Sequence, residues 1–293
     1  MRICAFFCLL VFLACSAPPE IRRVDPALAT LIPPEAVALA GVRLDRLENT
    51  PLYETLRPFL MDHLPVPLAK GAANAELWEL LGVLTPKDTL WMTRGRFSAS
   101  GIEPRLTWDG ARRTAYRGYL MITDGRLAVT FMNATTALAG RPGRLRTVID
   151  QRDTGAQPPA DLLSLAGGIG ASCQMWAVAR GGRKPPPDLP EPVGRLLADI
   201  LPKLRHARVT IEARDTLLLT AEAECRTPDD AETLRSAANA FIGFTRLQRN
   251  RRPALREALD LLSVQREGTL VRLAVELPAP LLEELLAAEE TAP

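Results

Sequence analysis

Five cysteines, two histidines and one run of arginines are the side chains of this sequence best equipped for chemistry, and their placement narrows what that chemistry is. Cys15 closes an apolar stretch, Ile3 to Ala14, that follows Arg2 at the start of the chain. The stretch is too short for a bilayer, which needs about 20 apolar residues, and it has the layout of a secretory leader. Cys4 and Cys8 leave with that leader, so Cys173 and Cys225 are the other thiols of the mature chain. Two readings stand for them. In an oxidising envelope compartment they would pair in a disulfide worth up to ~4 kcal/mol by chain entropy. Equally, each falls on the apolar phase of an expected strand and reads as a small core residue. His206 lies on the polar phase of its expected strand and His63 follows Asp62 at an expected helix end. Neither has an identifiable acid–base partner, so both read as solvated. No cluster of Cys and His has metal-ligand spacing, so neither a metal nor another cofactor is expected.

The densest charge feature is Arg246, Arg249, Arg251, Arg252 and Arg256. One reading sets these arginines against anionic headgroups or another acidic surface, where each basic group contributes ~1 kcal/mol. The other makes them a solvated helix junction at Pro253. No aromatic residue is interleaved for stacking on bases, and nucleic acid is not an expected partner. The sequence contains no Gly-x-Ser-x-Gly elbow, Walker loop or Gly-x-Gly-x-x-Gly fingerprint. Gly167-Gly168-Ile169-Gly170 comes closest, but it precedes a strand and so reads as a connection. Asp229 with Asp230, and Glu283 with Glu284, suit helix first turns and helix surfaces. No catalytic residue is assigned.

Phe12-Leu13-Ala14-Cys15-Ser16 resembles the lipobox of bacterial lipoproteins, in which the Cys receives diacylglycerol before cleavage; Ala14 and Cys15 fit, while Phe12 and Leu13 depart from the usual Leu-(Ala/Ser) pair. The resemblance implies lipid attachment at Cys15 and a protein exported to the cell envelope or periplasm, held to a membrane. Ala14-Cys15-Ser16 also fits an ordinary cleavage site, which would release a soluble protein. Residues 15–34, rich in proline, read as a tether.

Beyond the tether, a hydrophobic content of 47% against 24% charged residues describes a globular body, and the net charge of +2 selects no partner. Ala36 to Val42 is a continuous apolar run expected as a strand covered on both faces. Thr50-Pro51 should open a helix that Pro58 bends or ends, and Glu76 to Leu84 is expected as a short helix. Asp88 to Phe97 follows as a strand, then a hairpin turning at Asp124-Gly125 and a helix around Arg144 to Gln151. In the second half, Met175 to Ala179 is a strand, and Val193, Leu196, Leu197, Ile200 and Leu201 put one stripe on a helix. Strict alternation from His206, a turn at Asp215-Thr216 and a return through Cys225 form a half-exposed hairpin. Thr227-Pro228-Asp229-Asp230 then caps a long helix, and a last hairpin at Glu267-Gly268 leads to a helix from about Pro280 to Ala287.

Hairpin followed by helix thus occurs three times, and the expected fold class is α+β, with antiparallel sheets and two duplicated halves, 35–152 and 160–293, joined at Asp153 to Pro159. Leu31-Ile-Pro-Pro-Glu-Ala-Val-Ala-Leu-Ala-Gly-Val, Thr50-Pro-Leu-Tyr53, Arg94-Gly-Arg-Phe97 and Tyr116-Arg-Gly118, in that order, resemble a family of uncharacterised exported proteins common in acidobacterial genomes. That likeness implies repeated α+β units in the envelope and no activity. The expectation for function is a non-enzymatic envelope lipoprotein that binds a partner, such as another envelope protein, or scaffolds an assembly. A periplasmic carrier of lipid or another apolar ligand, and a hydrolase with an unrecognised site, are the alternatives.

Overall fold

The computed structural model describes residues 23–62, 76–97, 106, 108–182, 198–247 and 253–290. Cys15, the leader, His63, Arg249, Arg251, Arg252 and the start of the stripe at Val193 to Leu197 lie outside the described residues. Twelve strands form one sheet in the order β11-β12-β10-β9-β8-β1-β2-β3-β7-β6-β5-β4, and the neighbours are antiparallel throughout. The strands are β1 (Ala38–Arg43), β2 (Glu76–Leu84), β3 (Thr89–Arg96), β4 (Arg112–Tyr116), β5 (Tyr119–Thr123), β6 (Ala128–Asn133) and β7 (Thr136–Gly140), then β8 (Met175–Arg180), β9 (Leu204–Ala213), β10 (Thr216–Cys225), β11 (Ser263–Glu267) and β12 (Leu270–Pro278). The helices are α1 (Pro26–Ala29), α2 (Leu44–Leu47), α3 (Tyr53–Asp62), α4 (Pro142–Thr154), α5 (Ala160–Gly167), α6 (Pro228–Leu247), α7 (Pro253–Leu261) and α8 (Ala279–Glu290). The α+β class and the antiparallel pairing expected from the sequence are therefore what the chain forms.

Read outward from its centre, the sheet repeats itself. On one side β1 is followed by β2 and β3 and then by β7 with its hairpin partner β6; on the other β8 is followed by β9 and β10 and then by β12 with its partner β11. A helix precedes each inner strand, α1 before β1 and α5 before β8, and a helix follows each late hairpin, α4 after β7 and α8 after β12. The halves are continuous with each other, because β1 pairs with β8 from Ala38 against Ala179 to Val42 against Met175.

The buried face changes at that seam. Leu39, Leu81, Val83, Leu90, Met92, Leu138, Trp176 and Val178 share one face, which α1, α4 and α5 cover through Leu28, Leu145, Val148, Leu162 and Ala166. Register carries the same face onto β9 as Arg208 and Thr210, onto β10 as Glu222 and onto β12 as Arg272, all polar. The second half buries its other face instead, where Ala213, Leu217 and Leu277 meet Ala254 of α7 and Leu281 and Leu282 of α8, and Cys225 and Val271 meet Ala231 of α6. Alternation with period two makes this possible, since each strand offers one apolar side to whichever helix layer is present.

Several expectations are corrected. Glu76 to Leu84 is the strand β2 and not a helix; a central strand is buried on both sides, so its apolar run lacks the alternation that marks a strand. Residues 23–34 are core rather than tether: Leu28 and Ile32 are fully buried, and the Asp25 carboxylate caps α1 by accepting from the Ala27 N–H at 2.7 Å. Thr50 does not cap a helix, because its hydroxyl donates back to the Leu47 carbonyl, and α3 starts at Tyr53 and continues through Pro58. β1 begins at Ala38 and leaves Ala40 exposed, so it is not covered on both faces. Cys173 and Cys225 are free and buried rather than paired. The Cys173 thiol lies against Ile211 and Cys225 pairs with Leu204, seven residues back along β9, about 23 Å at ~3.3 Å per residue and far beyond disulfide reach. Burial pushes both thiols up from their ordinary range, which keeps them unreactive.

The cap expected at Thr227 forms: its hydroxyl oxygen accepts from the Asp230 N–H at 3.1 Å. Thr227→Ala should lower stability by about 1 kcal/mol in a urea titration, and an unchanged midpoint would show that α6 does not depend on this cap.

Candidate functional site

At one end of the central strands, β2 carries an extra residue. Leu77 pairs with Gly95 and Glu79 with Arg94, so Trp78 is left over as a bulge. A bulge bends its strand and re-aims the side chain it carries. Here the indole of Trp78 turns toward a cleft of about 280 Å³ lined by Asp25, Pro26, Arg43, Asp45, Trp78, Glu79 and Arg94. β1, β2 and β3 supply Arg43, Glu79 and Arg94 side by side in register. Asp25 comes from the cap of α1, and Asp45 from the first turn of α2.

Pairing within the cleft is not what register alone would give. Arg43 lies opposite Glu79 but donates two hydrogen bonds to Asp45, at 2.9 and 2.6 Å. Arg94 lies opposite Glu79 on the other side, but its Nε donates to Asp25 at 3.1 Å and its Nη1 to the Thr135 and Thr136 hydroxyls. The Arg94 guanidinium also stands 6.0 Å from the centre of the Trp78 ring. Each arginine is thereby neutralised by an aspartate. Glu79 accepts one hydrogen bond, from the Asp25 N–H at 3.3 Å, and has no ion pair among the described residues. It is 5% exposed. Burial pushes its pKa up to about 7, against the smaller opposing pulls of the Asp25 N–H and of Arg43.

Such a carboxyl takes up or gives up a proton near neutrality, and it attracts a positive group that reaches it. Among the described residues, the cleft lining holds no hydroxyl, thiol or amine that would serve as a nucleophile, and both aspartates are already engaged. Among the described residues, no group of three or more His, Cys, Asp and Glu is arranged to hold a metal.

A second cleft, of about 250 Å³, lies over the polar face of the second half and includes Arg208, Glu222 and Arg272. Glu222 is held between the two arginines, bonding to Arg208 and to Arg272 at 2.9 Å, and despite its burial these bonds keep it below the usual carboxylate range. That row is internally satisfied.

Of the arginines singled out from sequence, Arg246 and Arg256 are among the described residues. Arg246 ends α6 and ties it to α7, pairing with Asp260 at 2.9 Å and donating to the Leu259 carbonyl. Arg256 is exposed on α7. His206 stands on the polar face of β9, opposite Glu224. Sequence reading missed Glu79 because its segment was taken for a helix, on whose outer face a glutamate is ordinary. The signal available was a lone acid inside the apolar run Leu77 to Leu84.

No protein-family model matches the chain, and no curated protein matches it. The fold is similar to that of TP0453 in crystal form I, with a TM-score of 0.51 and 12% identity over 90% of this chain and 97% of that one. Crystal form III of the same protein gives a TM-score of 0.48 at 12% identity, over 90% and 98%. At this identity the likeness is one of fold alone.

Proposed function

We propose that this is a non-enzymatic binding protein of the cell envelope, lipid-anchored at Cys15, and that the cleft at the β2 bulge receives a small ligand or a protruding side chain bearing a positive charge. The observation that carries the reading is Glu79, a residue 5% exposed that lines an open cleft and has no ion pair of its own among the described residues, while its two neighbouring arginines are held by Asp25 and Asp45. A cation entering the cleft supplies the missing partner and displaces the proton from Glu79. Trp78 gives it an aromatic wall. Polar lining favours such a ligand over the apolar cargo of a lipid carrier. A hydrolase would need a second free carboxyl or a nucleophile beside Glu79, and the described lining residues supply neither.

Methylammonium, agmatine and the tripeptide Gly-Lys-Gly are suitable probes. Calorimetry at pH 6 in buffers of different ionisation enthalpy should find at least one of them binding with release of roughly half to one proton. Glu79→Gln should weaken that binding at least about tenfold, the loss of one buried charge-assisted contact. The reading is abandoned if none of the three binds, or if binding is indifferent to Glu79→Gln.

A further inference from the structure

The β4–β5 hairpin turns on two residues, Arg117 and Gly118, because Tyr116 pairs directly with Tyr119. Both turn positions have positive φ, +46° at Arg117 and +80° at Gly118. Glycine adopts that conformation freely, and Asn or Asp with little strain, but arginine does not suit it. Among the described residues Arg117 is the one non-glycine residue with positive φ. Backbone strain of this kind collects at ligand clamps, where it fixes a side chain in place. α4 packs against the same end of the hairpin. There Ile149, 2% exposed, lines a cleft of about 320 Å³ together with Arg117, Tyr119 and Arg152. The Nε of Arg117 meets Asp150 at 2.9 Å, and the Tyr116 hydroxyl donates to the same carboxylate at 2.9 Å. Arg152 donates to the Tyr119 hydroxyl and stands 5.9 Å from the centre of that ring, while Arg146 stands 5.3 Å from the centre of the Tyr116 ring. A staple between hairpin and helix explains Arg117, Tyr116 and Asp150. It does not explain Arg146 and Arg152, which rest on neutral rings and have no ion pair among the described residues. Three described guanidiniums at this corner thus stand against the Asp150 carboxylate, which already accepts from a phenol.

We propose that the cleft between the β4–β5 turn and α4 binds the phosphate of a phosphomonoester, with Arg152 as its principal donor, Arg117 adding charge from the turn and Tyr119 completing the contacts. The Tyr119 oxygen already accepts from Arg152, which leaves its hydroxyl proton for a ligand oxygen. Guanidinium forks match the geometry of phosphate oxygens, and an aromatic ring beneath a guanidinium holds it in place before the ligand arrives. A doubly charged anion also relieves the mutual repulsion of the arginines, which one shared carboxylate does not. The inference is independent of the Glu79 cleft, which lies on β1, β2 and β3 and takes the opposite charge.

Full-length protein at low salt would be titrated by calorimetry with glycerol 3-phosphate, with dihexanoyl phosphatidic acid below its micelle concentration, and with acetate. At least one phosphate should bind, and acetate should bind about tenfold more weakly or not at all. Arg152→Gln, at an exposed position, should weaken phosphate binding about tenfold or more, the loss of a charge-assisted contact. Arg117→Asn gives the turn a residue that suits it, so the urea midpoint should hold while phosphate binding falls several-fold. Arg205→Gln removes an exposed arginine on β9 and should change neither. Tighter binding of phosphatidic acid assigns the phosphate to a lipid headgroup, whereas tighter or equal binding of glycerol 3-phosphate assigns it to a soluble ester, and either order upholds the site. The inference is overturned if neither phosphate binds, if acetate binds as tightly, if Arg152→Gln leaves the affinity unchanged, or if Arg205→Gln weakens binding as much as Arg152→Gln.

Discussion

Replacing Glu79 by Gln should make the protein more stable, by about 3 kcal/mol at pH 8 and by under about 1 kcal/mol at pH 5. Glutamate in the unfolded chain ionises near its ordinary value of 4.5, whereas burial holds the folded carboxyl protonated until about pH 7. Between those two values the folded protein binds more protons than the unfolded one, so stability falls as pH rises through the window, and the full loss is present above pH 7. The groups that face Glu79 do not reverse the sign, because Arg43 and Arg94 are held by Asp45 and Asp25. Glutamine keeps the acceptor that the Asp25 N–H requires and removes the charge. Urea unfolding of both proteins at several pH values measures the difference directly. A gap that is constant with pH, or that widens toward acid, would falsify the assignment of Glu79 as a buried uncompensated carboxyl.

This prediction separates two roles of one residue. A carboxyl that costs stability at neutral pH and does nothing else is hard to reconcile with its position at a bulge that aims an indole into the same opening. Function is the usual reason for local structure that costs free energy. If the stability gap appears and the amine probes fail, Glu79 is buried as described and the cation-binding reading of the cleft is abandoned. If the gap itself is missing, the electrostatic reading of the cleft fails at its root.

Period and turn chemistry made much of the architecture legible. Asp124-Gly125 and Glu267-Gly268 turn hairpins where positive φ is needed, with φ of +91° at Gly125 and +58° at Gly268. The alternation from His206 through Cys225 gives the β9–β10 hairpin. Continuous apolar runs were the weak point. Leu77 to Leu84 carries no periodic signature because both its sides are covered, and length alone could not choose between strand and helix. The tether was misread for a related reason: Pro26, Pro33 and Pro34 suggested a spacer, yet Leu28, Leu31 and Ile32 between them fill the core above β1. Local composition spoke for one state, and long-range burial decided the other. The cleft was illegible because it is assembled from the ends of three strands and two helix starts. Asp25, Asp45, Glu79 and Arg94 have no common spacing; register sets Glu79 beside Arg94, and the starts of α1 and α2 bring in the two aspartates.

The seam between the halves is the place where a small change should have the largest mechanical effect. Gly41 of β1 lies directly opposite Trp176 of β8, and the indole lies across the space that a side chain at 41 would fill. A Cβ there would stand 2.4 Å from Cε2 of Trp176, so Gly41→Ala requires the ring, 4% exposed, to leave its position. We expect a loss of about 3 kcal/mol, at the upper end of overpacking costs, because the ring is wedged among Leu39, Leu81 and Val178 and the strand pair beneath it joins the two halves. Trp176→Ala alone should cost about 3–5 kcal/mol through the cavity it leaves. In that background Gly41→Ala meets no ring, and its own cost should fall to near zero, a coupling of about 2–3 kcal/mol in a double-mutant cycle. Gly82 supplies the control. It faces Trp91 across β2 and β3 in the same manner, but its Cβ would lie 3.2 Å from that ring, which is half-buried and would have to shift by only a few tenths of an ångström. Gly82→Ala should therefore be nearly neutral. Additive costs at positions 41 and 176, or equal costs at 41 and 82, would mean that the indole does not lock the seam.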